Sequence, residues 1–234
     1  MKQVVLASRN SKKLAEMQAL LAPLNWQLRL VSDFTEDAAE ESAPTFIENC
    51  LLKARHAARV SGLPAIADDS GLEVDALEGQ PGVQSARFAG WQDDCLASEA
   101  RESSERPATD GRAGGEKRMG SRAMDGWTQA DRDRANNDKL LRLLDNAADE
   151  RRDARFVCVM AFLRGADDPV PLFAQGLWHG RILRQPRGAN GFGYDPLFFV
   201  PTHNCSSAEL EPAVKNGISH RAQAAAQLLE ALRG

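Results

Sequence analysis

Pro64-Ala65-Ile66-Ala67-Asp68-Asp69-Ser70-Gly71 is an apolar run that passes without a break into two adjacent carboxylates, a serine and a glycine. Residues 64–67 read as a short β-strand. Acids at the C-terminal end of such a strand lie where open α/β sheets place their ligands. Two carboxylates there can hold Mg²⁺ through one or two oxygens and leave the other positions to water and phosphate. An Asx-type turn is the structural alternative for the same residues.

Upstream of this stretch, Thr45-Phe46-Ile47-Glu48 has the form of a capping box, with Thr45 as N-cap and Glu48 at N3. The helix behind it carries Ile47, Leu51, Ala54, Ala57 and Ala58 on one face and ends near Ser61-Gly62. Val4-Val5-Leu6 is a first strand. Leu14, Met17, Leu20 and Leu21 follow at helical spacing up to Pro23, and 26–31 alternates Trp26, Leu28 and Leu30 with polar partners. Strand, helix, strand, helix, strand is an α/β pattern.

Downstream, 91–135 is rich in Arg, Asp, Glu, Ser and Gly and has no sustained apolar period. The part from 98 to 125 cannot bury enough surface to offset its ordering entropy. The expectation is one domain over 1–234, interrupted by a disordered or flexible surface insertion at about 91–135. A helix then opens at Asn136-Asn137-Asp138 and carries Leu140, Leu141, Leu143 and Leu144. Apolar strands at 155–163 and 170–178 are joined by the turn-type sequence 165–169, which makes a hairpin and a mixed sheet. A glycine-rich loop spans 188–196. A last helix, 219–232, buries Ala222, Ala225, Ala226, Leu229 and Leu232.

The 234 residues are 43% hydrophobic, enough for a substantial core, and their net charge of −4 argues against a general nucleic-acid-coating protein. No stretch approaches the ~18 apolar residues of a membrane span, and the apolar run near the N-terminus is too short for a signal peptide. Cys50, Cys95, Cys158 and Cys205 form no CxxC pair and read as free thiols in a reducing compartment. A soluble cytoplasmic protein is expected.

Several segments could carry chemistry. The first strand–helix turn, Ser8-Arg9-Asn10-Ser11-Lys12-Lys13, offers free N–H groups at a helix start, where phosphates bind. Ser8 and Asn10 can donate, and Lys13 supplies charge. A plain capped helix start is the alternative. Glu40-Glu41 adds acid to the same part of the chain. Lys53 reads as solvent-facing on its helix, with Arg55 and Arg59 snorkelling. The spaced glycines of Gly191-Phe192-Gly193-Tyr194-Asp195 allow a tight loop that holds an aromatic ring in the open, ready to stack on a nucleobase. Lys215 precedes Ser219-His220-Arg221. Ser219 is a natural N-cap, but His220 and Arg221 oppose the helix dipole and suit the reading of carbonyl oxygens on a ligand. Surface charge is the alternative.

Taken in order, six motifs resemble the inosine/xanthosine triphosphate pyrophosphatase family, its bacterial dITP/XTP branch above all. They are Ser8-x-Asn10-x-x-Lys13, Thr45-Phe46-x-Glu48-Asn49 with Lys53-Ala54, Ala67-Asp68-Asp69-Ser70-Gly71-Leu72, Pro81-Gly82-Val83-x-Ser85-Ala86-Arg87, Gly191-Phe192-Gly193-Tyr194-Asp195-Pro196, and Lys215-x-x-Ile218-Ser219-His220-Arg221. The resemblance spans nearly the whole chain outside 91–135. It implies a long mixed β-sheet flanked by helices, two lobes with a central cleft, and a homodimer. It also implies Mg²⁺-dependent hydrolysis of ITP, dITP and XTP to the monophosphate and pyrophosphate.

By the resemblance, Asp69 is the catalytic acid with Asp68 beside it, and Glu41 joins Asp69 at the metal. Ser8, Asn10, Lys13 and Lys53 face the triphosphate, and Ser11 and Ser70 belong to the same substrate-binding set. Phe192, Gly193, Tyr194 and Asp195 form the nucleoside loop, with Phe192 on the base. Lys215, His220 and Arg221 complete the base and phosphate contacts. A donor such as Arg221 or His220 rewards the purine 6-oxygen and mismatches an amino group. Arg9 and Lys12, also counted as substrate-binding, stand where the family often has small residues, and either add charge or point outward. The alternatives are a pyrophosphatase of the same fold for another modified nucleotide, or a catalytically inactive nucleotide-binding protein.

Overall fold

The computed structural model describes residues 1–90 and 127–233. Among these, strands β1 (Lys2–Leu6), β2 (Trp26–Leu30), β3 (Ala65–Val74), β4 (Asp153–Leu163), β5 (Leu172–Ile182), β6 (Phe198–Val200) and β7 (Cys205–Ser206) form one sheet in the order β2-β1-β3-β4-β5-β6-β7. The β1–β2 and β1–β3 pairs are parallel and all later pairs antiparallel. This is the mixed sheet expected from the α/β pattern and the hairpin.

One face of β5 is left exposed, while around β3 and β4 helices lie on both faces. On one, α1 (Ser11–Leu20) and α5 (His220–Ala231) enclose Leu6, Met17, Ile66, Met160, Ala224 and Leu228. On the other, α2 (Phe46–Ser61) packs Cys50 and Ala54 against Ala67, Val159 and Ala161. A third cluster lies towards the far end of β3, where Leu72, Val74, Phe156 and Trp178 meet Leu140 and Leu144 of α3 (Gln129–Leu143) and its end. A short helix, α4 (Pro212–Ile218), precedes α5.

Four elements differ from the sequence reading. The strand expected at 64–67 runs on to Val74, so Asp68 and Asp69 lie inside β3 and neither an end-of-strand acid pair nor an Asx turn forms. The reason is the partner: β4 is apolar and long, and its ladder continues through Asp68↔Met160, Asp69↔Val159 and Ser70↔Cys158. Helix α3 begins at Gln129, not Asn136, with Thr128 and Asp131 closing a capping box. Residues 129–135 of the expected insertion are therefore helical, and 91–126 lies outside the described residues. In α2, Thr45 caps as expected and Gly62 ends the helix at φ +67°, but Ile47 is exposed. Along α5 and its C-cap, Ala222 and Ala225 are buried and Leu229 and Leu232 pack against the core as expected, but Ala226 faces outward and Ala224 and Leu228 join the stripe.

Candidate active site

Asp68 and Asp69 project from opposite faces of β3, as the two-residue period of a strand requires. Asp68 meets the α1/α5 face. Its carboxylate lies 3.0 Å from Lys13 Nζ and accepts from Arg221 Nε at 3.0 Å and Ser70 Oγ at 3.0 Å. Arg221 donates through NH1 to Glu16 at 3.0 Å and through NH2 to Ser70 Oγ at 3.3 Å. Two carboxylates thus hold one guanidinium from two elements. Burial alone would raise the Asp68 carboxyl, but Lys13, Arg221 and Lys53 together hold it well below the usual carboxylate range. Burial disfavours the Arg221 charge, and Glu16 and Asp68 reverse that, so its pKa is raised.

Asp69 meets the α2 face. Lys53 Nζ donates to Asp69 Oδ1 at 2.6 Å and lies 3.9 Å from Glu41 Oε1. Lys53 is therefore an interior cation and not the solvent-facing one its isolated position suggested. Glu41 is held nearby because Asn49, buried in α2, pairs its amide with both backbone groups of Ala43 at 3.0 Å. Burial raises the Asp69 carboxyl. Lys53 offsets part of that, Glu41 and Asp68 add to it, and the net direction is upward. Burial also opposes the Lys53 charge, but Asp69, Glu41 and Asp68 outweigh it and its pKa rises.

The 188–196 loop is tied from within. Asp195 accepts from Phe192 N–H at 2.9 Å, from Ser207 Oγ at 2.8 Å and from Lys215 Nζ at 2.6 Å. Gly191, at φ +77°, leaves room for that carboxylate, which a Cβ would meet at 2.0 Å. Phe192 is half-buried, with Lys215 Nζ 5.5 Å and Arg221 Cζ 5.4 Å from its ring centre. Tyr194 is not an open ring: it is buried and its hydroxyl donates to Ser85 O at 2.8 Å. His220 is also interior. Its ring stacks on Phe156 at 4.7 Å, and among the described residues its Nδ1 has no hydrogen-bond partner. Burial lowers the His220 pKa, as do Arg221 and Lys215, so the ring is neutral in the fold. The apparent conflict with the helix dipole is thus removed, by neutrality at His220 and by two carboxylates at Arg221.

At the first strand–helix turn the capped-start alternative holds for part of the backbone. Asn10 Oδ1 accepts from the N–H groups of Lys12 at 2.9 Å and Lys13 at 3.2 Å, so those two donors are engaged. Arg9 and Lys12 point outward and donate to the carbonyls of Glu36 and Gly191. Ser11 is exposed.

Three cavities share Ser8. One of about 210 Å³ is lined by Lys13, Ser70, Phe192, Lys215, His220 and Arg221 among others. A wider one of about 940 Å³ takes in Arg9, Asn10, Ser11, Lys12 and Gly193. A third of about 220 Å³ lies beside Lys13, Glu41 and Lys53. Residues from both faces of β3 and from the 188–196 loop thus converge around the first strand–helix turn. The sequence reading quoted Ser85 in a motif without giving it a role, and missed Glu16, Gln129, Asp133, Asn136 and Asn137. The signal for the last two was available: adjacent asparagines are poor helix formers, yet they sit in α3, buried and bonded to other segments.

The charges balance in a specific way. Lys13, Lys53, Lys215 and Arg221 each face a carboxylate of the protein. A polyphosphate entering here meets little uncompensated interior charge. Arg9 and Lys12 at the mouth contact carbonyls and remain available to it.

Residues 4–109 and 117–231 match the sequence model of the Ham1 family. A protein of Pseudomonas syringae pv. tomato named dITP/XTP pyrophosphatase is 47% identical over 230 residues, spanning 98% of this chain and 96% of that protein. One of the same name from Pseudomonas aeruginosa is 46% identical over 232 residues, spanning 99% and 98%. Among solved structures, a HAM1 protein from Coxiella burnetii superposes with a TM-score of 0.75 at 43% identity, covering 100% of this chain and 99% of that one.

Proposed function

The chain belongs to the Ham1 family, and from that membership and the geometry of the site we propose that it hydrolyses non-standard purine nucleoside triphosphates. The substrates are dITP, ITP and XTP, and the products are the nucleoside monophosphate and pyrophosphate. The observation that carries this reading is the meeting of separate motifs around cavities that share Ser8, in a chain 47% identical along its length to a dITP/XTP pyrophosphatase.

In this reading Asp69 orients and deprotonates the attacking water. Its burial makes the carboxylate a stronger base than an exposed aspartate, and Lys53 keeps it aligned. The water oxygen bonds to the α-phosphorus, the bond from that phosphorus to the bridging oxygen breaks, and pyrophosphate leaves with the electron pair. The proton passes to Asp69. Lys13 and Lys53 offset charge on the departing group, with Arg9 and Lys12 at the mouth. Phe192 stacks on the base, and Arg221 or His220 reads the 6-oxygen.

Mg²⁺ is the proposed cofactor. Glu41 and Asp69 offer hard oxygens that now share the Lys53 ammonium. Among the described residues no three His, Cys, Asp or Glu converge. Mg²⁺ does not require that, because substrate phosphates and water complete its shell. When bound it would add to the neutralisation of phosphate charge that Lys13 and Lys53, each already paired with a carboxylate of the protein, supply only in part.

The proposal extends to a cleft between two lobes, with α1, α2 and α5 on one side and α3 and the 188–196 loop on the other. It also extends to a cytoplasmic homodimer that binds neither nucleic acid nor membrane. No helix among the described residues is long and apolar enough to cross a membrane. Phe173 and Leu177, exposed on the uncovered face of β5, suit burial against a second copy.

Pyrophosphate release measured in parallel from ITP, dITP, XTP, GTP, ATP and dTTP with Mg²⁺ tests the function. Strong release from the first three, little from GTP and ATP, and loss of release on chelation are expected. Preference for dTTP would favour a pyrimidine substrate, and binding without release would mean an inactive nucleotide-binding protein.

A further inference from the structure

Gly193 has both of its backbone polar groups taken by one helix. Its N–H donates to Asp133 Oδ2 at 2.8 Å, and its carbonyl accepts from Asn137 Nδ2 at 2.9 Å. Asp133 and Asn137 are four residues apart and so lie on the same side of α3. Asn137 Nδ2 also donates to the Asp133 carbonyl at 2.9 Å, which fixes the amide in place. Gly193 adopts φ +62°, a conformation that these two bonds brace from outside the loop.

Phe192 is therefore held on two sides. Its own N–H is bound by Asp195, and the next N–H in the chain, that of Gly193, is bound by Asp133. Fixing consecutive peptides fixes the Cα–Cβ direction of Phe192 and so the side on which its ring can lie. The same helix reaches the opposite wall of the cavity through Asn136, which donates to Ser85 O at 3.2 Å and Ala86 O at 3.3 Å and accepts from Ala89 N–H at 2.7 Å. Helix α3 thus sets the separation of the two walls as well as the pose of the loop.

We propose that Asp133 and Asn137 are positioning residues for the nucleoside loop: they clasp the Gly193 peptide from α3 and thereby aim Phe192 into the cavity. Neither residue needs to touch the reacting phosphate. The contribution to substrate use rests on the pyrophosphatase reading, while the clasp on the loop does not.

The test is made on the full chain with Asp133→Ala, Asp133→Asn and Asn137→Ala. In Asp133→Ala, amide hydrogen exchange in peptides covering 188–196 speeds up by about tenfold or more, the loss of one charge-assisted bond. KM for dITP rises about tenfold while kcat stays within about threefold, since only ground-state and transition-state binding of the base is lost together. Asp133→Asn retains an acceptor oxygen and returns both quantities to within about threefold of the parent protein. Asn137→Ala moves both in the same direction as Asp133→Ala and serves alone should that variant not fold. Unchanged exchange in the loop overturns the clasp. Faster exchange with unchanged KM, or a fall in kcat as large as the rise in KM, overturns its positioning role. If the parent protein releases no pyrophosphate from any nucleotide, the functional reading fails, and loop exchange still decides the clasp.

Discussion

The carboxyl groups of Asp68 and Asp69 leave adjacent Cα atoms in opposite directions and, among the described residues, share no hydrogen-bonding side chain. Asp68 is held by Lys13, Arg221 and Ser70 on the α1/α5 face, and Asp69 by Lys53 on the α2 face with Glu41 beyond it. One acid is fully engaged in binding two cations of the protein. The other has burial working against its charge and a single close lysine. Two chemically identical residues, adjacent in sequence, are thereby given opposite electrostatic surroundings.

Substitution should separate them. Asp69→Asn keeps the fold and lowers kcat for dITP by at least roughly a hundredfold, the scale of a lost catalytic base. Asp68→Asn leaves Lys13 and Arg221 without their shared carboxylate and costs about 3–5 kcal/mol of stability, as breaking a buried ion pair does. Urea unfolding alongside turnover checks both. Near-normal turnover in Asp69→Asn would remove it from the mechanism.

The two aromatic residues of the glycine-rich loop should also part. Phe192→Ala raises KM for dITP about tenfold through lost stacking. Tyr194→Phe removes a hydroxyl that donates to Ser85 O, which Asn136 also serves. It costs about 1 kcal/mol of stability and leaves KM within about twofold. Steady-state kinetics and thermal unfolding of the pair decide between them.

With no metal bound, the Asp69 carboxyl should titrate above an ordinary aspartate. Burial raises it, Lys53 offsets part of that, and Glu41 and Asp68 add to the rise. Glu41→Gln removes one of those charges and therefore lowers the value. Carboxyl-carbon NMR titrations of the metal-free parent protein and the variant check this. An Asp69 titration unmoved by Glu41→Gln contradicts the coupling between the two acids.

Stability should carry the mark of His220. Its folded pKa is depressed by burial and by Arg221 and Lys215, so below about pH 6.5 the unfolded chain binds a proton that the folded one refuses. The stabilisation is complete above that pH and is lost on going down, by at most about 1.4 kcal/mol per pH unit. His220→Phe keeps the stack on Phe156 and removes this slope. Unfolding free energies from urea titrations of both proteins between about pH 5 and 8 should diverge on the acid side by up to that amount.

Local patterns in the chain were enough for most elements of the sheet and its helices. Alternation in 26–31, the Thr45 cap, the apolar runs of β4 and β5 and the turn between them all act over a few residues, and each formed close to where its pattern lies. The motifs around Ser8, Asp69, Phe192 and Arg221 stand in the chain as written, but the roles expected of them were decided by resemblance to a family and not by any local pattern. What a neighbour across the fold contributes was not. The length of β3 depends on pairing with β4, whose partner residues, from Val74↔Ala154 to Ala65↔Leu163, lie 80 to 98 positions away in the chain. Lys53 lies inside because Asp69 faces it, Tyr194 is buried because Ser85 accepts from it, and the start of α3 belongs to the site because Gly193 reaches it. Periodicity and capping report the free energy of a segment with itself. Whether a charge is buried or solvated, and which of two adjacent acids has its pKa raised, depends on partners that only chain folding brings within hydrogen-bond distance.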